Sequence, residues 1–330
     1  MRSTENSLLE VQNLSVQFGG LKAASNVSLS VKNNSIAALI GPNGAGKTTV
    51  FNCITGVYTP SSGSISLASQ ALAPPFTLRV AFSSATIGLV CGTVLSLALN
   101  IQTLWQHIIV DHYIYLQPFP WIEALLSGVT FFQELPFSST YLLLLIGFLV
   151  GSLAAIITWH RSRHSTLNSS QRGIARTFQN IRLFKKMSVL ENILVGFSKG
   201  TNLQAARELL SFVELEKYAD APADSLSYGL QRRLEIARAL ATSPKIILLD
   251  EPAAGMNPTE ILDLSKLIAA IKGRGISVLL IEHHMKLVMG ISEHVTVLEH
   301  GEKIAEGTPA EIQKNPRVIA AYLGEEESDE

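Results

Sequence analysis

Apolar residues follow two different rhythms along this chain. The first is short. IAALI at 36–40 stops at a glycine-rich segment and predicts a buried strand. KIILLDE at 245–251 predicts another, ending in two carboxylates, and the apolar run SVLLI at 277–281 leads up to His283. SGSISL at 62–67 and GIARTF at 173–178 predict two more strands. The second rhythm is long. Residues 80–110 and 135–160 contain no Asp, Glu, Lys or Arg. Their most apolar parts are VAFSSATIGLVCGTVLSLAL (80–99) and YLLLLIGFLVGSLAAIITW (141–159). Each run exceeds the roughly 20 residues a helix needs to cross a bilayer core. Between them WIEALLSGVTFF (121–132) has the short, ambiguous pattern of an interfacial helix.

Composition localises the difference. Only 16% of the 330 residues are charged, against about 25% in soluble domains. Residues 70–168 hold six of the 53 charges, namely Arg79, Asp111, Glu123, Glu134, Arg161 and Arg163, and all three tryptophans. The rest of the chain has an ordinary charge density. Three segments follow: 1–69, an apolar insert at 70–168 with helices near 80–104 and 138–159, and 169–330. Trp105 and Trp159 stand near the run ends, where aromatic belts form. Arg79 precedes the first run, Arg161 and Arg163 follow the second, and no Lys or Arg lies between. This bias predicts a membrane hairpin with both ends cytoplasmic and its middle outside. The competing expectation is two buried helices of a soluble domain. Ser83, Ser84, Thr86, Thr93 and Ser96 weaken the first span relative to the second.

Other features exclude whole classes. A net charge of −1 argues against a protein built to grip nucleic acid. Cys53 and Cys91 are too few for a disulfide scaffold and read as inert thiols. MRSTENSLLEVQ at the start lacks the apolar core of a signal peptide, and EEESDE at 325–330 reads as a solvated acidic tail. His284, His294 and His300 fit no zinc spacing.

The strand at 36–40 runs into GPNGAGKT (41–48), which matches G-x-x-x-x-G-K-[ST]. Gly41, Gly44 and Gly46 allow turns that aim successive N–H groups at phosphate oxygens. A helix starting near Gly46 turns its positive end to the same anion. Lys47 is placed to reach the β- and γ-phosphates and Thr48 to offer a hydroxyl to Mg²⁺. Pro42, Asn43, Ala45 and Thr49 complete the segment. Downstream, Asp250 is placed to hold Mg²⁺ through water and Glu251 to polarise the attacking water.

LSYGLQRRLEIARAL (226–240), just before the second carboxylate-bearing strand, resembles the signature motif of ATP-binding-cassette (ABC) ATPases. In the same order, Gln179 in RTFQN resembles the glutamine-loop residue, AAGMNP (253–258) the D-loop, and His283 in LLIEHHM the switch histidine. Phe18 occupies the place of the aromatic that stacks on adenine. The resemblance covers about 8–68 and 171–324. GPNGAGKTTVFNCITGVY (41–58), RTFQNIRLFKKMSVLENILVG (176–196) and the stretch from Ile281 to Gly324 are similar to the ATPase subunit of branched-chain amino-acid importers.

The resemblance implies an α/β fold: a P-loop NTPase of ABC type, with a RecA-like core, an antiparallel β-subdomain and a helical signature subdomain. To this the chain adds its inserted transmembrane hairpin. It implies MgATP hydrolysis in a dimer of cassettes, two copies or one with a similar partner. Ser227 and Gly229 of one protomer would cap the γ-phosphate held by the other. It also implies two membrane permeases, a periplasmic binding protein, and a place at the cytoplasmic face of the inner membrane. Catalysis falls to Glu251, His283, Gln179 and Lys47, and Mg²⁺ to Thr48, Gln179 and Asp250. An importer of urea, amides or other amino acids is the alternative, with a non-transport scaffold or regulator behind it. Tyr228 and Leu230 depart from the general signature, which has glycine and glutamine there. His284 replaces a common acidic residue.

Overall fold

The computed structural model describes residues 7–72, 76–134, 137–162, 169–170, 172–197, 200 and 202–326. The first six residues and residues 327–330 of the acidic tail therefore lie outside the described residues.

β1 (Ser7–Phe18) and β2 (Leu21–Lys32) pair antiparallel. β3 (Ile36–Ile40) leads through the glycine segment into α1 (Lys47–Ile54). β4 (Ser62–Leu67) pairs antiparallel with β1, and β5 (Gln70–Ala71) with β4. The insert supplies α2 (Leu78–Trp105), α3 (Trp121–Glu134) and α4 (Phe137–Ser162). The chain then runs through β6 (Ile174–Arg176), α5 (Val189–Leu194), α6 (Leu203–Phe212) and α7 (Tyr228–Leu240). β7 (Ile246–Asp250), α8 (Pro258–Gly273), β8 (Ser277–Ile281) and α9 (Met285–Ile291) follow. β9 (His294–Glu299), β10 (Glu302–Gly307), α10 (Pro309–Gln313) and α11 (Pro316–Glu326) end it. Glu325 and Glu326 thus close a helix rather than open the tail.

Two sheets result. One has the order β2-β1-β4-β5 and the other β10-β9-β3-β8-β7-β6. The second is parallel from β9 to β6, with β10 antiparallel on its edge. Its central strands β3, β8 and β7 are buried throughout and mostly apolar because both faces are covered. Alternate residues serve two separate cores. Ile36, Ala38 and Ile40 of β3 join Ile247, Leu249, Val278 and Leu280 among the helices on one face. Ala37 and Leu39 join Leu248, Leu279, Ile281 and Phe51 against the antiparallel sheet on the other. The starts of α5, α6, α8 and α10 are fixed by side chains. Asn257 and Glu260 make a reciprocal capping box on α8, with Pro258 in its first turn.

The chain divides into two compact units, Met1–Ala73 with His164–Glu330 and Pro74–Arg163. Gln70 and Ala71 pair with β4, so they extend the antiparallel sheet. The Arg172 guanidinium donates to the Ala71 carbonyl, and the Ser169 hydroxyl to Ile54 O at 3.3 Å. The first unit therefore closes on itself across the interruption. β6 is shorter than GIARTF predicts, because the backbone at Phe178 is drawn into hydrogen bonds with α7.

In the second unit the serines and threonines of α2 do not break its apolar character. Ser84 and Ser96 are buried, and Ser83, Thr86 and Thr93 bond back to carbonyls three residues earlier. α2 runs into one wide π-turn at Gln106–Val110.

Candidate active site

Every residue singled out for phosphate chemistry, apart from the signature pair, follows the carboxyl end of a parallel strand. The glycine loop follows β3, Gln179 follows β6, Asp250 and Glu251 end β7, and His283 follows β8. These four strands are neighbours in the sheet. The carboxyl edge of a parallel sheet is where α/β proteins place ligands.

The loop needs its glycines. A Cβ on Gly41 would run into the Leu298 carbonyl, and one on Gly46 into the Ala23 carbonyl. Gly46, at φ +91°, is the residue from which α1 starts. Lys47 is 6% exposed, and its ammonium donates to Gly41 O at 2.6 Å and Pro42 O at 2.7 Å. Asn43 to Thr49 line a cleft of about 400 Å³ that also contains Glu251 and His283. Lys22, at the start of β2, and His300, in the turn after β9, line it too. No motif pointed to either.

Glu251 sits at φ +46°, a left-handed conformation that is costly for a non-glycine residue and recurs at functional sites. The Gln179 amide nitrogen donates to its Oε2 at 2.7 Å, and His283 Nε2 meets its Oε1 at 2.7 Å. Gln179, Glu251 and His283 are thus one cluster at the cleft. Beneath it, Glu282 accepts from the backbone N–H groups of Ala253, His283 and His284. Burial pushes the Glu282 carboxyl above its ordinary range, against the pull of those three donors. Glu282 thereby ties the loop after β8 to the loop after β7.

Asp250 is 4% exposed and bound to Arg176, Nη2 to Oδ2 at 2.7 Å. Arg176 Nη1 donates to Asn52 Oδ1 at 2.6 Å and lies 3.3 Å from Thr55 Oγ1, which links Asp250 to the end of α1. Sequence gave Asp250 a cation through water; it did not foresee this arginine. Thr48 hydroxyl, Asp250 carboxylate and the Gln179 amide oxygen, its nitrogen being engaged by Glu251, are hard oxygen donors. That set fits Mg²⁺, which takes few protein ligands beside phosphate and water. Among the described residues no cluster of three His, Cys, Asp or Glu could hold a metal.

The glutamine loop is clasped from behind. Arg232 and Glu235 of α7 form an ion pair at 2.6 Å, with side chains 0% and 2% exposed. Arg232 donates to Phe178 O at 2.7 Å and Gln179 O at 2.8 Å, while Glu235 accepts from the N–H groups of Phe178 and Arg182. The Tyr228 hydroxyl accepts from Arg232 at 3.2 Å, so this departure from the general signature has a structural use. Leu230 packs on the main core, and His284 stands just before α9 without a side-chain capping bond. Ser227 stands just before α7 without a side-chain capping bond and Gly229 lies against Glu260; neither lines the cleft. Phe18 is 46% exposed and does not line it either; its ring meets Tyr58 edge-on at 5.1 Å. Burial pushes the Cys53 thiol up to about 12, which keeps it inert.

The family model described as ABC transporter matches residues 24–106 and 139–254. The chain belongs to the ABC transporter ATPases. The gap in that match falls inside the insert. A second model, described as branched-chain amino acid ATP-binding cassette transporter, matches residues 302–328. The high-affinity branched-chain amino acid transport ATP-binding protein BraF of Pseudomonas aeruginosa is 35% identical, over 96% of this chain and 98% of its own. The corresponding protein LivG of Salmonella typhimurium is 36% identical over the same shares. The lipopolysaccharide export system ATP-binding protein LptB of Haemophilus influenzae is 27% identical, over 97% and 98%. A nucleotide-free ATP-binding cassette from an ABC transporter superposes with a TM-score of 0.64 at 24% identity, over 96% of this chain and 98% of that one. An ADP-bound cassette gives the same TM-score. The cassette fold and the ATPase class are thereby settled.

Within this cassette, Arg176 is the residue most open to test. Arg176→Met is expected to lower kcat for ATP about tenfold and to raise the Mg²⁺ concentration needed for half-maximal rate, with ATP affinity unchanged. Partners that orient a metal ligand typically matter by about 10–100-fold. An unchanged Mg²⁺ dependence in steady-state assays would show that Asp250 needs no such support.

Proposed function

We propose that this chain is the ATP-binding subunit of an importer for branched-chain amino acids. The observation that carries the catalytic part is Glu251, held between Gln179 and His283 in the cleft of the glycine loop. The substrate class is supported by the C-terminal family match and by the relatives' names.

In this reading Lys47 and the amides from Gly41 to Thr49 hold the phosphates of ATP, and Phe18 offers a face to adenine. Lys47 leaves its carbonyl partners when phosphate arrives. Thr48, Gln179 and Asp250 hold Mg²⁺, which would neutralise phosphate charge. Glu251 orients or deprotonates water, and His283 passes from Glu251 to the γ-phosphate. Ser227 and Gly229 act on a partner cassette, in keeping with their absence from the chain's own cleft. The chain works as a dimer of cassettes beneath two permeases fed by a periplasmic binding protein. Nucleotide moves the permeases only through a difference in affinity for two conformations. A mainly apolar cleft of about 790 Å³ runs beside Arg176 and Phe178 and suits a permease segment. The cassette is formed by 1–69 with 169–330, and 70–168 is a membrane hairpin that holds it at the cytoplasmic face.

In cells deleted for this chain, its return is expected to restore uptake of labelled leucine. Unlabelled isoleucine and valine should compete, while urea and acetamide should not. Restoration of urea or amide uptake with no effect on leucine would sink the substrate assignment.

A further inference from the structure

The two long helices of the insert hold each other through glycine. Buried positions of α2 recur every fourth residue, at Ser84, Gly88, Gly92 and Ser96. Gly147 and Gly151 of α4 meet that stripe. A Cβ on Gly92 would stand 2.6 Å from the Leu144 carbonyl, and one on Gly147 2.5 Å from the Gly92 Cα. One on Gly151 would stand 2.8 Å from the Cys91 Cβ. At Gly92 and Gly147 the backbones touch directly, while Gly88 receives the Ser152 side chain and Gly151 the Cys91 side chain. A four-residue spacing of small residues on both helices gives this approach, and in lipid it is a main source of helix pairing. In water the same seam would bury little apolar surface and leave the large side chains outside.

Those side chains are indeed outside. Leu89, Val94 and Leu97 of α2 and Leu145, Leu149 and Leu153 of α4 are 44–59% exposed. Both helices contain a stretch long and apolar enough to span, 25 residues in α2 and 19 in α4. Three threonines on the outer faces are satisfied within their own helix. Thr86 donates to Ser83 O at 2.8 Å, Thr93 to Val90 O at 2.9 Å and Thr158 to Ala154 O at 2.8 Å. A hydrocarbon solvent requires such internal pairing. At the ends shared by the start of α2 and the end of α4, Phe76 packs edge-on against Trp159 at 5.3 Å.

We propose that α2 and α4 are a self-contained membrane-spanning pair, closed by the glycine seam, whose outer faces take bilayer hydrocarbon rather than another subunit. This rests on reading residues 70–168 as membrane-embedded. A cassette anchored in this way meets its permeases at a raised effective concentration.

The full chain is produced in cells without the permease subunits, and membranes are washed with alkaline carbonate. Retention is expected. Release would overturn the membrane reading itself, and retention only when permeases are present would overturn self-containment. The seam has its own readout. Gly151→Cys sets a thiol against Cys91, and the two Cβ atoms need to part by only about 1 Å for disulfide geometry. After oxidation in membranes, labelling of the denatured chain is expected to lose two thiols. Leu149→Cys, on an outer face, should keep them all. Retention without pairing in Gly151→Cys, or equal pairing in both variants, overturns the seam and leaves the membrane reading standing. Should Gly151→Cys fail to accumulate, Gly92→Leu is compared with Val94→Leu. A severalfold loss from membranes for Gly92→Leu alone is expected, and equal amounts would overturn the seam.

Discussion

Glu251→Gln is expected to bind ATP as the native chain does and to lose at least about 100-fold in turnover, since a positioned general base contributes roughly 10²–10⁴. The substitution keeps the shape of the side chain. Its amide can still meet Gln179 or His283, so the cluster survives, but it can no longer take a proton or draw one from water. The loss should therefore fall on kcat and leave nucleotide affinity in place. Equal steady-state rates for mutant and native chains would remove Glu251 from the mechanism. The left-handed backbone at this position sharpens the point. A strained conformation is kept where the rest of the fold overrides its cost, and here β7 and β8 hold it, with Glu251 N–H bonded to Ile281 O at 2.9 Å.

Arg232→Ala is expected to cost the folded state about 3–5 kcal/mol, because it leaves Glu235 buried without its counter-charge. Its second consequence is functional. Arg232 holds the carbonyls of Phe178 and Gln179, so its loss frees the loop that presents Gln179 to Glu251. Protein that still folds should have a lower kcat as well as a lower melting temperature. Replacing both partners, Arg232→Met with Glu235→Leu, should recover much of the stability, as apolar replacements of buried pairs often do. It should not recover the rate, since the hydrogen bonds to the loop stay absent. Full recovery of both would mean that the clasp serves packing alone. Chemical denaturation and ATP turnover on the same preparations decide between these outcomes.

The legible parts of this protein were those where chemistry dictates spacing. Glycines at 41, 44 and 46, Lys47 and the paired carboxylates at 250 and 251 state their geometry in sequence, because phosphate permits few alternatives. The five-residue apolar runs likewise stated that β3, β7 and β8 are covered on both faces. Arg176 and Arg232 were illegible for the opposite reason. Each is an ordinary charge in the chain, and its meaning comes from partners 74 and 53 positions away. Lys22 and His300 reach the cleft only because β2 begins and β9 ends beside the glycine loop. In the insert the length of the two runs was visible, and the hydroxyls do leave the first less apolar than the second, with a mean hydropathy of 1.8 against 2.4. What the run did not reveal is that Ser84 and Ser96 continue the buried glycine positions of α2, with the Ser84 hydroxyl bonded to Ala81 O of its own helix.

We propose that the ATPase cassette is interrupted by a unit it does not need in order to fold. The direct measurement replaces residues 74–163 with a short flexible linker and follows ATP binding and hydrolysis by the purified product. β5 and the contact of Arg172 with Ala71 stay in place in this variant. A soluble protein that unfolds cooperatively and binds ATP within about threefold of the full chain's affinity is the predicted result. A product that binds no nucleotide or lacks cooperative unfolding would contradict it, and the insert would then be part of the cassette itself.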